Sequence, residues 1–129
     1  MPIAEIRQEN HFSDTLDNRL RAPGSALRVR IECDSQGERA ELTLKGATSR
    51  VGALTTRTEF TVSIPMKTAQ KIIRDPQILS SIGLGPANRA REITGEAGWR
   101  EIAVFTNHRL TMNLDLGGDA APLELDHTI

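Results

Sequence analysis

The chain has a single cysteine, Cys33, no tyrosine, one tryptophan and three phenylalanines among its 129 residues. A disulfide within the chain is therefore excluded, and a cysteine-based structural zinc site lacks its ligands. Cys33 reads as a small buried or strand-edge apolar residue. With so few aromatic rings, few side chains are available to stack a nucleobase. His11, His108 and His127 stand far apart with no ligand spacing such as HExxH, which argues against a histidine metal site. A formal net charge of −1 supplies neither the basic surplus nor the basic block that nucleic acid or an anionic membrane would demand. No apolar run approaches the roughly 20 residues that span a bilayer. The amino terminus, MPIAEIRQEN, has no basic segment leading into an apolar signal core. These absences predict a cytoplasmic protein with no nucleic-acid partner and no membrane partner.

What is present is ordinary globular material, 38% hydrophobic and 26% charged. The length suits one domain, residues 1–129, with no repeat, low-complexity tract or linker. Its clearest signal is a period of two, apolar on one parity and charged on the other, which is the mark of strands. In SALRVRIEC, Leu27, Val29, Ile31 and Cys33 oppose Arg28, Arg30 and Glu32. The turn Asp34–Gly37 closes a predicted hairpin. The return strand sets Ala40, Leu42 and Leu44 against Glu41, Thr43 and Lys45, and Gly46 is expected to end it. After a small-residue loop, LTTRTEFTVSI opposes Phe60, Val62 and Ile64 to Arg57, Glu59, Thr61 and Ser63.

Pro65 stops that strand and can open a helix, MKTAQKIIRD, with Ala69, Ile72 and Ile73 on one side. Asp75-Pro76 breaks it, and a short helical turn is expected over residues 77–82. The segment GLGPANRAREITGEAG reads only as a polar connector, because no strand precedes its GLG and a dinucleotide fingerprint would need one. REIAVFTNHRLTMNLDL resumes the alternation and is long enough to bend midway. After the turn-like GGDAAP, LELDHTI gives a last strand with Leu123 and Leu125 opposite Glu124 and Asp126.

An antiparallel sheet with one solvated face alternates in the same way, so alternation alone does not announce a ligand site. The content of the polar faces carries more. They hold Arg28, Arg30, Lys45, Arg57 and Arg109, with Glu32, Glu41, Glu59, Glu124 and Asp126 interspersed. Arginine is the planar, multi-donor cation that suits bidentate phosphate contact. Brought together on one face, such cations repel unless carboxylates intervene or an anion binds.

The ordered segments QENHFSDTLDNRL, ALRVRI, LTLKG, RTEF, FTNHR and LELD, over about residues 5–129, resemble the signatures of the CYTH, or triphosphate tunnel, family. That family is named after class IV adenylyl cyclases and thiamine triphosphatases and includes inorganic triphosphatases. Where its pattern NxYFDTPD has a tyrosine and a proline, Phe12 and Leu16 stand here. The family's first strand, with its ExExK glutamates and lysine, has no counterpart, and neither does its last acidic strand.

The resemblance implies an α+β fold, mainly antiparallel β: a tunnel-type β-barrel, incomplete, with one or two helices packed outside. It implies a metal-dependent phosphohydrolase acting on an inorganic or organic triphosphate. A class IV-type adenylyl cyclase, a non-catalytic phosphate-binding module and a protein with no ligand are the alternatives. Arg28, Arg30, Lys45, Arg57 and Arg109 would bind substrate. Lys45 and Glu59 would be catalytic, and Glu59, Glu124 and Asp126 would hold Mg²⁺ or Mn²⁺. The partner is a triphosphate-bearing small molecule, and open strand edges would allow a homodimer.

Overall fold

A computed structural model describes the backbone of residues 3–116 and 119–128 and the side chains of residues 5–108. The alternating segments form the strands β1 (Ile3–Thr15), β2 (Ala26–Asp34), β3 (Gly37–Val51), β4 (Leu54–Ile64), β5 (Trp99–Leu116) and β6 (Asp119–Thr128). Between β4 and β5 run α1 (Met66–Arg74), a 3₁₀ turn (Pro76–Ser80) and α2 (Gly85–Thr94). All six strands join one sheet in the order β4-β3-β2-β1-β5-β6, with every neighbouring pair antiparallel.

The sheet is open. β4 and β6 lie at its two ends instead of pairing with each other, so the α+β class holds while the barrel is not closed. Closure would require a hydrogen-bonding partner at each end, and the described residues supply none.

One face of the sheet is apolar because the register lines up the apolar parities of β2, β3 and β4. Val29 pairs with Leu42 and Leu42 with Val62, while Leu27 pairs with Leu44. The helices cover this face through Ala69 and Ile72 of α1, Leu79 of the 3₁₀ turn, and Ala87 and Ala90 of α2. Trp99, 2% exposed, joins the same core. α1 begins after Pro65 and carries Lys71 and Arg74 in its last turn, where the helix dipole favours cations. The Asp75 carboxylate then accepts the Gln77 N–H at 3.2 Å and starts the 3₁₀ turn.

Besides β1, three features depart from the sequence expectations. Gly46 does not end β3. The strand continues to Val51 with a register shift between Lys45 and Thr48, and the missing Cβ of Gly46 makes room for the Thr58 hydroxyl. The unassigned connector holds α2, whose buried face is built from Pro86, Ala87, Ala90 and Thr94, side chains too small to register as an apolar stripe. β6 starts at Asp119, inside the segment expected to turn; residues 117–118 lie outside the described ones.

β1, for which no strand was expected, occupies the middle of the sheet between β2 and β5. Its final residues fix the loop to β2. The Asp14 carboxylate, 1% exposed, accepts the amides of Thr15 (2.6 Å), Leu20 (2.9 Å) and Arg21 (3.0 Å). This pins the buried Leu20 beneath the sheet's end.

Candidate functional site

The face turned away from the helices gathers the polar parities in rows that run across the strands. One row reads Ser63, Glu41, Arg30, Asn10, Phe105, and the next reads Thr61, Thr43, Arg28, Phe12, Ala103. Antiparallel neighbours stand about 4.5–5.5 Å apart, so these side chains reach one another. A cleft of about 310 Å³ opens over the middle of the rows, lined by Asn10, Phe12, Arg28, Arg30, Phe105 and Asn107.

The arginines of the chain divide by what their donors meet. Arg39 binds Glu32 at 2.8 Å and Asp34 at 2.9 Å, fastening the β2–β3 hairpin. Arg91 donates to the carbonyls of Leu79 (2.6 Å) and Ile82 (2.8 Å) and to Asn88. Arg28 and Arg30 differ. Arg28 is 6% exposed, yet among the described residues the one carboxylate within 4 Å of it is Glu41, at 3.7 Å, and its Nε has no hydrogen-bond partner there. Arg30 is oriented by Nε donating to Asn10 Oδ1 at 2.7 Å, while its Nη1 stands 3.8 Å from Glu41 and 3.9 Å from Glu32. Those separations exceed the ~2.7–2.9 Å of a charge-assisted hydrogen bond, so the terminal N–H groups keep donor capacity for an incoming anion.

Electrostatics agrees with geometry. Burial, and after it the neighbouring Arg30 charge, push the Arg28 guanidinium below the ordinary arginine value; Glu41, Glu59 and Glu32 oppose this. A cation so placed gains from any further negative charge.

Lys45 lies on the same parity one row further along β3 and pairs with Glu59 of β4 at 3.6 Å. Glu59 is exposed. Arg57 is exposed and directs Nε to Gly46 O (2.6 Å) and Nη2 to Gly24 O (3.2 Å), which ties β4 across β3 to the β1–β2 loop. The structure thus brings Arg28 and Arg30 together in the cleft, sets Lys45 beside them, and commits Arg57 to backbone carbonyls. For Arg109, Glu124 and Asp126 the side chains lie outside the described residues; the backbone pairs Arg109 with Ile6 and Asp126, and Glu124 with Thr111.

A CYTH domain model matches residues 1–128. The chain belongs to the CYTH family. Its fold is similar to that of HpAC1 from Hippeastrum, named for adenylyl cyclase and described as having a dominant triphosphatase activity. That likeness has a TM-score of 0.74 and 24% identity, covering 97% of this chain and 60% of that one. The PH1819 protein from Pyrococcus horikoshii gives a TM-score of 0.55 and 18% identity, covering 98% of this chain and 58% of that one. A candidate adenylate cyclase from Bacillus halodurans gives 0.60 and 21%, covering 95% and 58%. This CYTH chain therefore spans about 60% of the length of the solved structures it matches. No curated protein matches it.

The donor set of this CYTH domain bears on metal binding. Among the described residues no three His, Cys, Asp or Glu side chains converge, so they form no ready-made metal centre. Single carboxylates do face the cations, and Mg²⁺ commonly takes only one or two carboxylates when phosphate oxygens and water complete its octahedron. The residues fit a metal ion that arrives with a phosphate.

Two cleft residues escaped the sequence reading of chemistry. Phe12 and Phe105 form an edge-to-face pair with ring centroids 5.8 Å apart, giving the cleft an apolar wall. Both lie on the polar parity of their strands, and that misplacement was the available signal. A larger concavity of about 440 Å³ lies on the helix side, bordered by Ser80, Arg91, Gly95, Glu96, Ala97 and Trp99. Its arginine, Arg91, is committed to the carbonyls of Leu79 and Ile82 and to Asn88, whereas the Nη groups of the arginines in the smaller cleft lack such close partners among the described residues. Among the described residues no helix is long and apolar enough to cross a membrane.

Proposed function

We propose that this CYTH domain binds a triphosphate-bearing small molecule in the Arg28–Arg30 cleft and, with Mg²⁺ or Mn²⁺, hydrolyses it. The observation that carries this reading is the pair of neighbouring arginines, one of them buried, whose Nη contacts to Glu41 are as long as 3.7 and 3.8 Å, with Arg28 Nε lacking a partner among the described residues. Family membership and the activity described for the Hippeastrum protein support the same class of ligand.

Arg28 and Arg30 grip non-reacting phosphates, with Asn10 holding the Arg30 guanidinium in plane. Lys45 extends the cation row and offsets charge on the transferred phosphoryl group, while Glu59 holds Lys45 in position. A divalent ion bound with the substrate would supply polarisation of the reacting phosphoryl group and orientation of water. Water adds to the terminal phosphorus in line with the departing bridging oxygen, releasing orthophosphate and a diphosphate. Roles for Arg57 and Arg109 at the phosphates, and for Glu59, Glu124 and Asp126 at the metal, rest on the family resemblance. Nucleic acid and membrane are not partners in this reading, and a homodimer would form through the β4 or β6 edge.

Thermal melts with phosphate, pyrophosphate, tripolyphosphate and ATP test it, because a ligand that binds only the folded state raises the melting temperature. Tripolyphosphate is expected to give a larger shift than phosphate. Equal small shifts for all four, no larger than added salt produces, would refute the reading. A second reading, a phosphate-binding module without turnover, is favoured by the lack of converging carboxylates among the described residues. It is distinguished by tripolyphosphate binding with no phosphate released.

A further inference from the structure

We propose that Glu41 makes the cleft discriminate between a metal-complexed triphosphate and the bare anion. The inference rests on the triphosphate reading above and assigns a specificity-setting role to a carboxylate outside the metal-ligand set implied by the family resemblance. Glu41 pairs with Arg30 in the β2–β3 register, and its Oε1 stands 3.7 Å from Arg28 Nη2 and 3.8 Å from Arg30 Nη1. It therefore acts as a counter-ion to both cations without occupying their donors in close hydrogen bonds.

The neighbouring carboxylates are placed differently. Glu32 is bound by Gln8 and Arg39, each at 2.8 Å, and serves the hairpin. Glu59 is the exposed partner of Lys45. Glu41, with its side chain 34% exposed, borders a small concavity of about 60 Å³ that adjoins the cleft through Arg30, and it stays within 4 Å of both guanidinium groups.

A bare triphosphate seated on Arg28 and Arg30 would meet this carboxylate as a like charge. The same triphosphate carrying Mg²⁺ would meet it as a hard-oxygen ligand, since Mg²⁺ readily completes its shell with one carboxylate beside phosphate oxygens and water. The sign of the Glu41 contribution thus reverses with the metal. The same residue disfavours the uncomplexed anion and favours the complex.

The test is calorimetric titration of tripolyphosphate into the wild-type chain, Glu41→Gln, Glu41→Ala and Glu38→Gln at constant ionic strength, once with Mg²⁺ and once with a chelator. Glu38 is exposed and lies opposite Cys33 in the hairpin register, so its substitution removes the same charge away from the cleft. We expect the wild-type chain to bind the Mg²⁺ complex more tightly than the bare anion. Glu41→Gln should tighten bare-anion binding about tenfold, the order expected for removing one charge beside a partly exposed site, and should bring the two affinities toward each other. Glu41→Ala should do the same, so the result does not hang on one variant, and Glu38→Gln should behave as wild type. An unchanged ratio in both Glu41 variants, or an equal change in Glu38→Gln, would overturn the proposal. A wild-type chain that binds tripolyphosphate under neither condition would overturn the triphosphate reading itself, a result separable from an unchanged ratio.

Discussion

Arg28 combines deep burial with loose pairing, and that combination separates stability from function at a single residue. A buried, under-paired charge is costly, and an apolar side chain of similar length removes the cost. We expect Arg28→Met to stabilise the fold by about 1 kcal/mol in urea unfolding, while losing the melting shift given by tripolyphosphate. A stability loss together with a retained shift would contradict both parts. Asp14 is the opposite case, buried and fully used. Asp14→Ala strands the amides of Leu20 and Arg21 and is expected to cost about 2–4 kcal/mol, measured by the same unfolding experiment. Asp34, at the hairpin tip, accepts from Arg39 and from the Gln36 amide, and these contacts hold its carboxyl below the ordinary aspartate range. Its contribution to stability is therefore complete above the ordinary aspartate value of about 3.9 and is lost as pH falls through the lowered one. Arg39→Gln should move the Asp34 titration, followed by carboxyl NMR, back toward the ordinary value.

Among the elements, β2, β3 and β4 were legible in the sequence because each carries a clean parity that the register then aligns, as in the Val29, Leu42, Val62 row. α1 was legible from Pro65 and its apolar spacing. β1 was not, although it is the middle strand: Gln8, Asn10 and His11 are buried polar residues whose partners come from other strands. His11 makes the point, with its Nδ1 2.7 Å from Glu101 of β5. No local pattern announces such contacts. α2 was hidden by its small residues, and Phe12 and Phe105 lie on the polar parity, which was read only for its charges. The cation pair of the cleft, by contrast, was readable from β2 alone, whereas the backbone duty of Arg57 depended on the β3 bulge. That bulge is open to test. Gly46→Ala places a methyl group against the Thr58 hydroxyl and should destabilise by about 1–3 kcal/mol. Thr58→Ala in the same chain should recover most of the loss, as a double-mutant cycle would show.

At the scale of the whole molecule, the sheet separates two environments: helices and core on one side, the cation cleft on the other, with strand edges at both ends. Open edges invite pairing with another chain. We expect the mass seen by sedimentation to rise with concentration toward a dimer, and Thr56→Lys on β4 to oppose this if β4 is the edge involved; a concentration-independent monomer would exclude the edge dimer. The same two-sided arrangement has an optical consequence. Trp99 is the only tryptophan, the chain has no tyrosine, and the indole lies in the core on the face away from the cleft. Near-ultraviolet emission therefore originates almost wholly from one ring that never touches the cleft ligand. Its wavelength should hold still while tripolyphosphate fills the cleft and move to the red when the core opens, so a single cuvette can tell occupancy from unfolding without an added dye.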